Sequence, residues 1–125
     1  TVGILGERAL PPVETVTPRG FYDYTAKYES GDTEYRVDPD MDPVDRERLL
    51  EAALRAFRAL GCRGVGRVDF RLPQEGLPVA LEVNTLPGLT ERSLLPKAAA
   101  KAGIPFDALC ASLVDEAMIP SGGRT

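Results

Sequence analysis

The chain has 125 residues, 43% of them apolar and 27% charged, which is the length and composition of one ordinary globular domain. Its net charge of −4 gives no basic field for nucleic acid. No apolar run is long enough to cross a membrane, and the first residues do not resemble a signal peptide. No histidine is present to complete a zinc site or act as a base, and Cys62 and Cys110 stand far apart, reading as reduced thiols of a cytosolic protein. The chain opens at Thr1, without Met, directly into the apolar run Val2-Gly3-Ile4-Leu5, which reads as a sequence cut from something longer.

Val2 to Leu5 is a strand, and Gly6-Glu7-Arg8 a turn. Val13 to Thr17 alternates apolar and polar residues and forms a second strand that can pair with the first; Pro12 ahead of it suits an edge or a strand start. Pro18 to Asp42 has weak periodicity and reads as a mobile substrate-binding or lid loop. It holds the aromatic-rich stretch Phe21-Tyr22-Asp23-Tyr24-Thr25-Ala26-Lys27-Tyr28, whose rings could equally pin the loop to the core. Within it Glu34 to Val37 can form a short strand.

A helix follows, with Asp42 as N-cap, Pro43 in its first turn and Gly61 just past its end. Leu49, Leu50, Ala53, Leu54, Phe57 and Leu60 make its apolar stripe, and Arg and Glu residues its solvated face. Gly61, Gly64 and Gly66 then lie between a helix and a strand, the reverse of a phosphate-binding loop, and are assigned to close backbone packing. A second helix runs from Leu94 to Ala102 with Ser93 as N-cap, and a third starts near Pro105 and Phe106. Pro120 to Thr125 is a tail. The fold class is α+β, a small antiparallel sheet with its apolar face packed on about three helices, and no second domain.

Between these helices lie two alternating runs, Gly66 to Leu72 and Val79 to Asn84, joined by a polar loop suited to a hairpin. With Leu72 opposite Val79, antiparallel pairing places Asp69 opposite Glu82 and Arg67 opposite Asn84, on the polar face. Carboxylates facing across a ladder repel, so Arg67, water or a divalent cation must offset them. Asp69, Glu82 and Asn84 are oxygen donors suited to Mg²⁺ or Mn²⁺, and Glu82 can bridge two ions. Arg67 can fork onto a phosphoryl oxygen. Downstream, Pro87-Gly88 lets a backbone N–H approach a ligand, and the helix start at Ser93-Leu94 offers donors to a carboxylate. A plain amphipathic hairpin with a solvated polar face fits the same pattern.

The motifs GRVDF and LEVNTLPGLTERSLLP, with FYDYTAKY and the opening TVGILGERALPPVE in the same order, strongly resemble the C-terminal part of D-alanine–D-alanine ligases of the ATP-grasp superfamily. The resemblance covers Thr1 to about Ala117, and the combination R-x-D, E-x-N-x-x-P-G and S-L is its specific part. It implies ATP-dependent joining of two D-alanines through a D-alanyl phosphate, for peptidoglycan precursors, in the cytoplasm. It implies Asp69, Glu82 and Asn84 as ligands of two Mg²⁺ (or Mn²⁺), Glu82 bridging both, and Arg67 as stabiliser of the transferred phosphoryl group. Gly88 would give its N–H to an oxyanion hole, and Ser93 with the Leu94 N–H would seat the second alanine's carboxylate. Lys27 would contact ATP phosphate, Tyr28 would close the site and favour alanine over lactate or serine, and Phe21 and Leu81 would border the nucleotide. The missing N-terminal and central domains would be this chain's partners, and the full-length ligase a homodimer. Leu86 stands where some members of that family have Ser, and Glu91-Arg92 is a variable pair. The isolated chain is therefore expected to be inactive. The alternatives are a truncated non-catalytic module, or a ligase of another D-amino or D-hydroxy acid.

Overall fold

The computed structural model describes residues 1–17 and 33–120. It contains β1 (Val2–Leu5), β2 (Arg8–Ala9), β3 (Val13–Val16), β4 (Glu34–Val37), α1 (Pro43–Ala59), β5 (Val65–Arg71), β6 (Val79–Asn84), α2 (Leu94–Lys101) and α3 (Phe106–Ala117). β2, β1, β5 and β6 form one antiparallel sheet in that order, and β3 and β4 form another. So β3 pairs with β4 rather than with β1. Its link to the first strand's start is one reciprocal pair of backbone bonds, Val13 N–H to the Thr1 carbonyl at 2.9 Å and the Thr1 amino group to the Val13 carbonyl at 2.7 Å. The expected loop from Pro18 to Asp42 therefore contains a real strand at Glu34–Val37, while residues 18–32 lie outside the described part.

α1 forms for the reasons visible in its sequence. The Asp42 carboxylate accepts from the N–H groups of Val44 (2.9 Å) and Asp45 (3.4 Å), Pro43 opens the first turn, and Gly61 takes φ +69° just past the Leu60 C-cap. Leu49, Ala53 and Phe57 are buried against Val2, Ile4 and Val68. Leu60, placed in the apolar stripe by spacing, is instead 67% exposed, because the helix has already ended and its side chain leaves the core face.

The helices do not share one face of the sheet. β1 alternates Val2 and Ile4 toward α1 with Gly3 toward α2, where Leu95 packs so closely that a Cβ on Gly3 would lie 2.5 Å from Leu95 Cδ1. Leu10, Val13, Leu94, Leu95, Ala98, Ala99 and Leu109 form this second cluster, which joins α2 and α3 to the small sheet. The polar face of β5 therefore lies on the side of α2, beside a core rather than opposite all of it.

Of the three glycines assigned to close packing, Gly61 and Gly64 take φ +69° and +78° with open space or ordinary contact around them, so they serve the turn of the backbone instead. Only Gly66 has the close-packing role. A Cβ there would sit 2.6 Å from Phe57 Cε2, inside a core ring that is 2% exposed. Gly66→Ala is expected to cost about 1–3 kcal/mol by overpacking, read as a lower urea midpoint at unchanged m-value. An unchanged midpoint would mean that Phe57 can move aside freely.

Candidate active site

The β5–β6 ladder pairs Arg67 with Asn84, Val68 with Val83 and Asp69 with Glu82, as the alternation predicts. Toward the hairpin tip the pairing changes: Phe70 faces Ala80 and Arg71 faces Val79. The expected Leu72–Val79 pair therefore does not form. Leu81 is the extra residue of a β-bulge, which bends the strand and leaves it 63% exposed on the sheet edge.

Arg67 and Asp69 are two apart on one strand and so share a face. Arg67 Nε and Nη2 donate to the two Asp69 carboxylate oxygens at 2.8 and 3.1 Å, a fork-on-fork pair. Their side chains are only 9% and 13% exposed. Burial pushes the Asp69 carboxyl upward, but the hydrogen bonds and charge of Arg67, helped by the positive charge of the Thr1 amino group, outweigh it and hold the group below its ordinary value of 3.8. A depressed folded-state pKa means that the unfolded chain binds the proton more readily. The stabilisation is thus complete above the unfolded value of about 3.8 and is lost as pH falls through the lower folded value. Acid unfolding followed by circular dichroism should show a loss below about pH 4 that is smaller in Asp69→Asn. An equal acid slope in both proteins would contradict this.

Glu82 is exposed and stands across the ladder from Asp69. Asn84 is half-buried, and its Oδ1 accepts from Leu86 N–H at 2.9 Å, an Asx turn that starts the path toward Pro87-Gly88. Sequence reasoning missed this anchoring role, although an Asn two residues before a loop amide was its signal. The amide oxygen keeps a second lone pair. Among the described residues no three His, Cys, Asp or Glu side chains converge on a metal site. The donor set of this face is two carboxylates and one amide oxygen, all hard ligands that fit Mg²⁺ or Mn²⁺ in kind.

Gly88 and Ser93 come together at the end of the turn: a Cβ on Gly88 would meet Ser93 Oγ at 2.9 Å. Ser93 occupies the N-cap position of α2 with an extended backbone, but its side chain caps nothing. The third helical residue is Pro96, which has no N–H to offer, and the hydroxyl turns back instead to Thr90, whose N–H donates to it at 3.1 Å and whose Oγ1 lies at 2.8 Å. Thr90 was not singled out from the sequence. Leu94 is 8% exposed and belongs to the core cluster beneath α2. Phe21, Lys27 and Tyr28 lie outside the described residues.

The fold is that of an α+β ATP-grasp ligase segment, as its solved neighbours are. The sequence model described as D-ala D-ala ligase C-terminus matches residues 1–115, and the chain belongs to that family. A D-alanine–D-alanine ligase of Alkalilimnicola ehrlichii is 46% identical over 124 residues, covering 99% of this chain and 40% of the relative. One of Acidiphilium cryptum is 49% identical over 118 residues, 94% of this chain and 39% of the relative. The D-alanine–D-alanine ligase of Bacillus anthracis complexed with ATP superposes with a TM-score of 0.78 at 35% identity, over 94% of this chain and 38% of that one. The VanG D-Ala:D-Ser ligase of Enterococcus faecalis gives 0.74 at 31%, over 91% and 34%. The chain thus spans about 40% of the length of the curated relatives it matches.

Proposed function

We propose that this chain is the C-terminal catalytic part of a cytoplasmic enzyme that joins two D-alanines with ATP to make the dipeptide of peptidoglycan precursors. The observation that supports it most is the order of groups along the chain: Asp69 clamped by Arg67, with Glu82 and Asn84 across the ladder on the same face, then Gly88 against Ser93 downstream.

In the first step a carboxylate oxygen of one D-alanine attacks the γ-phosphorus of ATP, the bond to the β-phosphate oxygen breaks, and ADP leaves. Asp69, Glu82 and Asn84 would hold two Mg²⁺ (or Mn²⁺), with Glu82 shared between them, and the ions would neutralise phosphate charge. Two of Arg67's five donors are engaged by Asp69, which fixes the plane in which the guanidinium meets the phosphoryl group. In the second step the amine of the other D-alanine attacks the acyl carbon, loses a proton, and phosphate departs. The Gly88 N–H and Arg67 stabilise the oxyanion, and Ser93 Oγ with the Leu94 N–H seats the second carboxylate. Leu81, exposed on its bulge, borders the nucleotide together with Phe21; Lys27 reaches phosphate and Tyr28 closes the site. The upstream domains are the chain's partners, and the full-length enzyme is a homodimer.

The test is ATP- and D-alanine-dependent phosphate release. The full-length protein is expected to show it together with D-alanyl-D-alanine, and the isolated 125 residues are expected to show none. Turnover by the isolated chain would refute the division of labour, and none by the full-length protein would favour a non-catalytic module. A second reading, a D-Ala:D-Ser type of ligase, draws on the similar TM-score of the VanG neighbour. A substrate panel that prefers D-serine or D-lactate in the second position would support it.

A further inference from the structure

Thr90 surrounds the Ser93 hydroxyl on the acceptor side. Its backbone N–H donates to Ser93 Oγ at 3.1 Å, its own hydroxyl lies 2.8 Å from the same atom, and its carbonyl accepts from the Ser93 N–H at 3.0 Å. On another flank Gly88 leaves room only for a hydrogen, since a Cβ would lie 2.9 Å from Ser93 Oγ. With Pro96 at the third helical position, the hydroxyl is not drawn into capping α2.

A serine hydroxyl has one proton and two acceptor sites. The Thr90 N–H fills one acceptor site. In the 2.8 Å contact either oxygen can be the donor. A carboxylate placed at Ser93 resolves that ambiguity, because it can only accept. Ser93 must then give its proton to the carboxylate, and Thr90 must give its own to Ser93. Both acceptor sites of Ser93 are then filled from Thr90, and the chain of hydroxyls polarises in one direction, strengthening the outer bond.

We propose that Thr90 is a positioning residue for recognition of the acceptor substrate's α-carboxylate, acting through Ser93 by forcing its hydroxyl to donate. The inference rests on the reading of Ser93 as the carboxylate seat. Thr90 is exposed, so changing it removes no core packing. Thr90→Val keeps the backbone N–H and the branched shape while removing the hydroxyl.

The test is initial-rate kinetics of the full-length enzyme with the first D-alanine saturating, for Thr90→Val, Thr90→Ser and Ser93→Ala, each checked for unchanged thermal unfolding. Thr90→Val is expected to raise the KM of the second D-alanine roughly tenfold with kcat within about twofold, and Thr90→Ser to restore it. If Ser93→Ala raises that KM and Thr90→Val does not, the role of Thr90 is overturned while the seat stands. If Ser93→Ala leaves the KM unchanged, the seat itself fails, and the role of Thr90 with it. Equal losses of kcat in Thr90→Val and Thr90→Ser, with KM unmoved, would mark a merely structural turn and also overturn the proposal.

Discussion

Arg67→Ala in the full-length protein is expected to remove at least about a thousandfold of turnover and several kcal/mol of stability together. The two losses share one cause. Arg67 is 7% exposed, and its guanidinium holds both Asp69 oxygens. Without it, the largest group opposing burial at the Asp69 carboxyl is gone, and a buried carboxylate is left without its guanidinium partner. Breaking a buried pair from one side costs about 3–5 kcal/mol, a large part of a domain's total of about 5–15. Arg67→Lys restores a charge but cannot fork, so it should recover part of the stability and little of the rate. Urea unfolding and phosphate release, measured on the same preparations, separate the two. Activity within about tenfold of the parent would contradict the account.

Glu82→Gln is expected to lose turnover on a similar scale, about a thousandfold or more, with the fold intact. Glu82 is exposed and faces Asp69 across the ladder. Replacing it with an amide of the same shape removes a facing like charge, so the unfolding midpoint should hold or rise slightly. A carboxylate needed only for the sheet would show the opposite pattern, with stability lost and activity kept. Retained activity would sink the assignment of Glu82 to a bridging role.

Much of this was legible from residues two apart. The alternation Arg67, Asp69 and Glu82, Asn84 fixes which side chains share a face, and that is a property of any pleated strand. The register at the tip was not legible. Nothing in Val79-Ala80-Leu81 announces a bulge, and the expected Leu72–Val79 pair is absent even though Asp69 does face Glu82. The site pairing thus comes out as predicted for a reason the tip did not contain: the bulge at Leu81 offsets a one-residue shift in the loop. The division of the helices between two faces depends on Gly3 admitting Leu95, a contact over ninety residues of sequence that no local pattern encodes. Ser93 is a different case. Its failure to cap was written in Pro96, three residues on, and the competing Thr90 stands three residues back.

The central claim is that the Asp69, Glu82 and Asn84 face holds the ions on which phosphoryl transfer depends. The most direct measurement is Mn²⁺ binding to the full-length protein with a non-hydrolysable ATP analogue, followed by electron paramagnetic resonance, in the parent and in Glu82→Gln. The account predicts about two bound ions per chain in the parent and at most one in the variant. The same number of ions, held equally tightly in both, would contradict it.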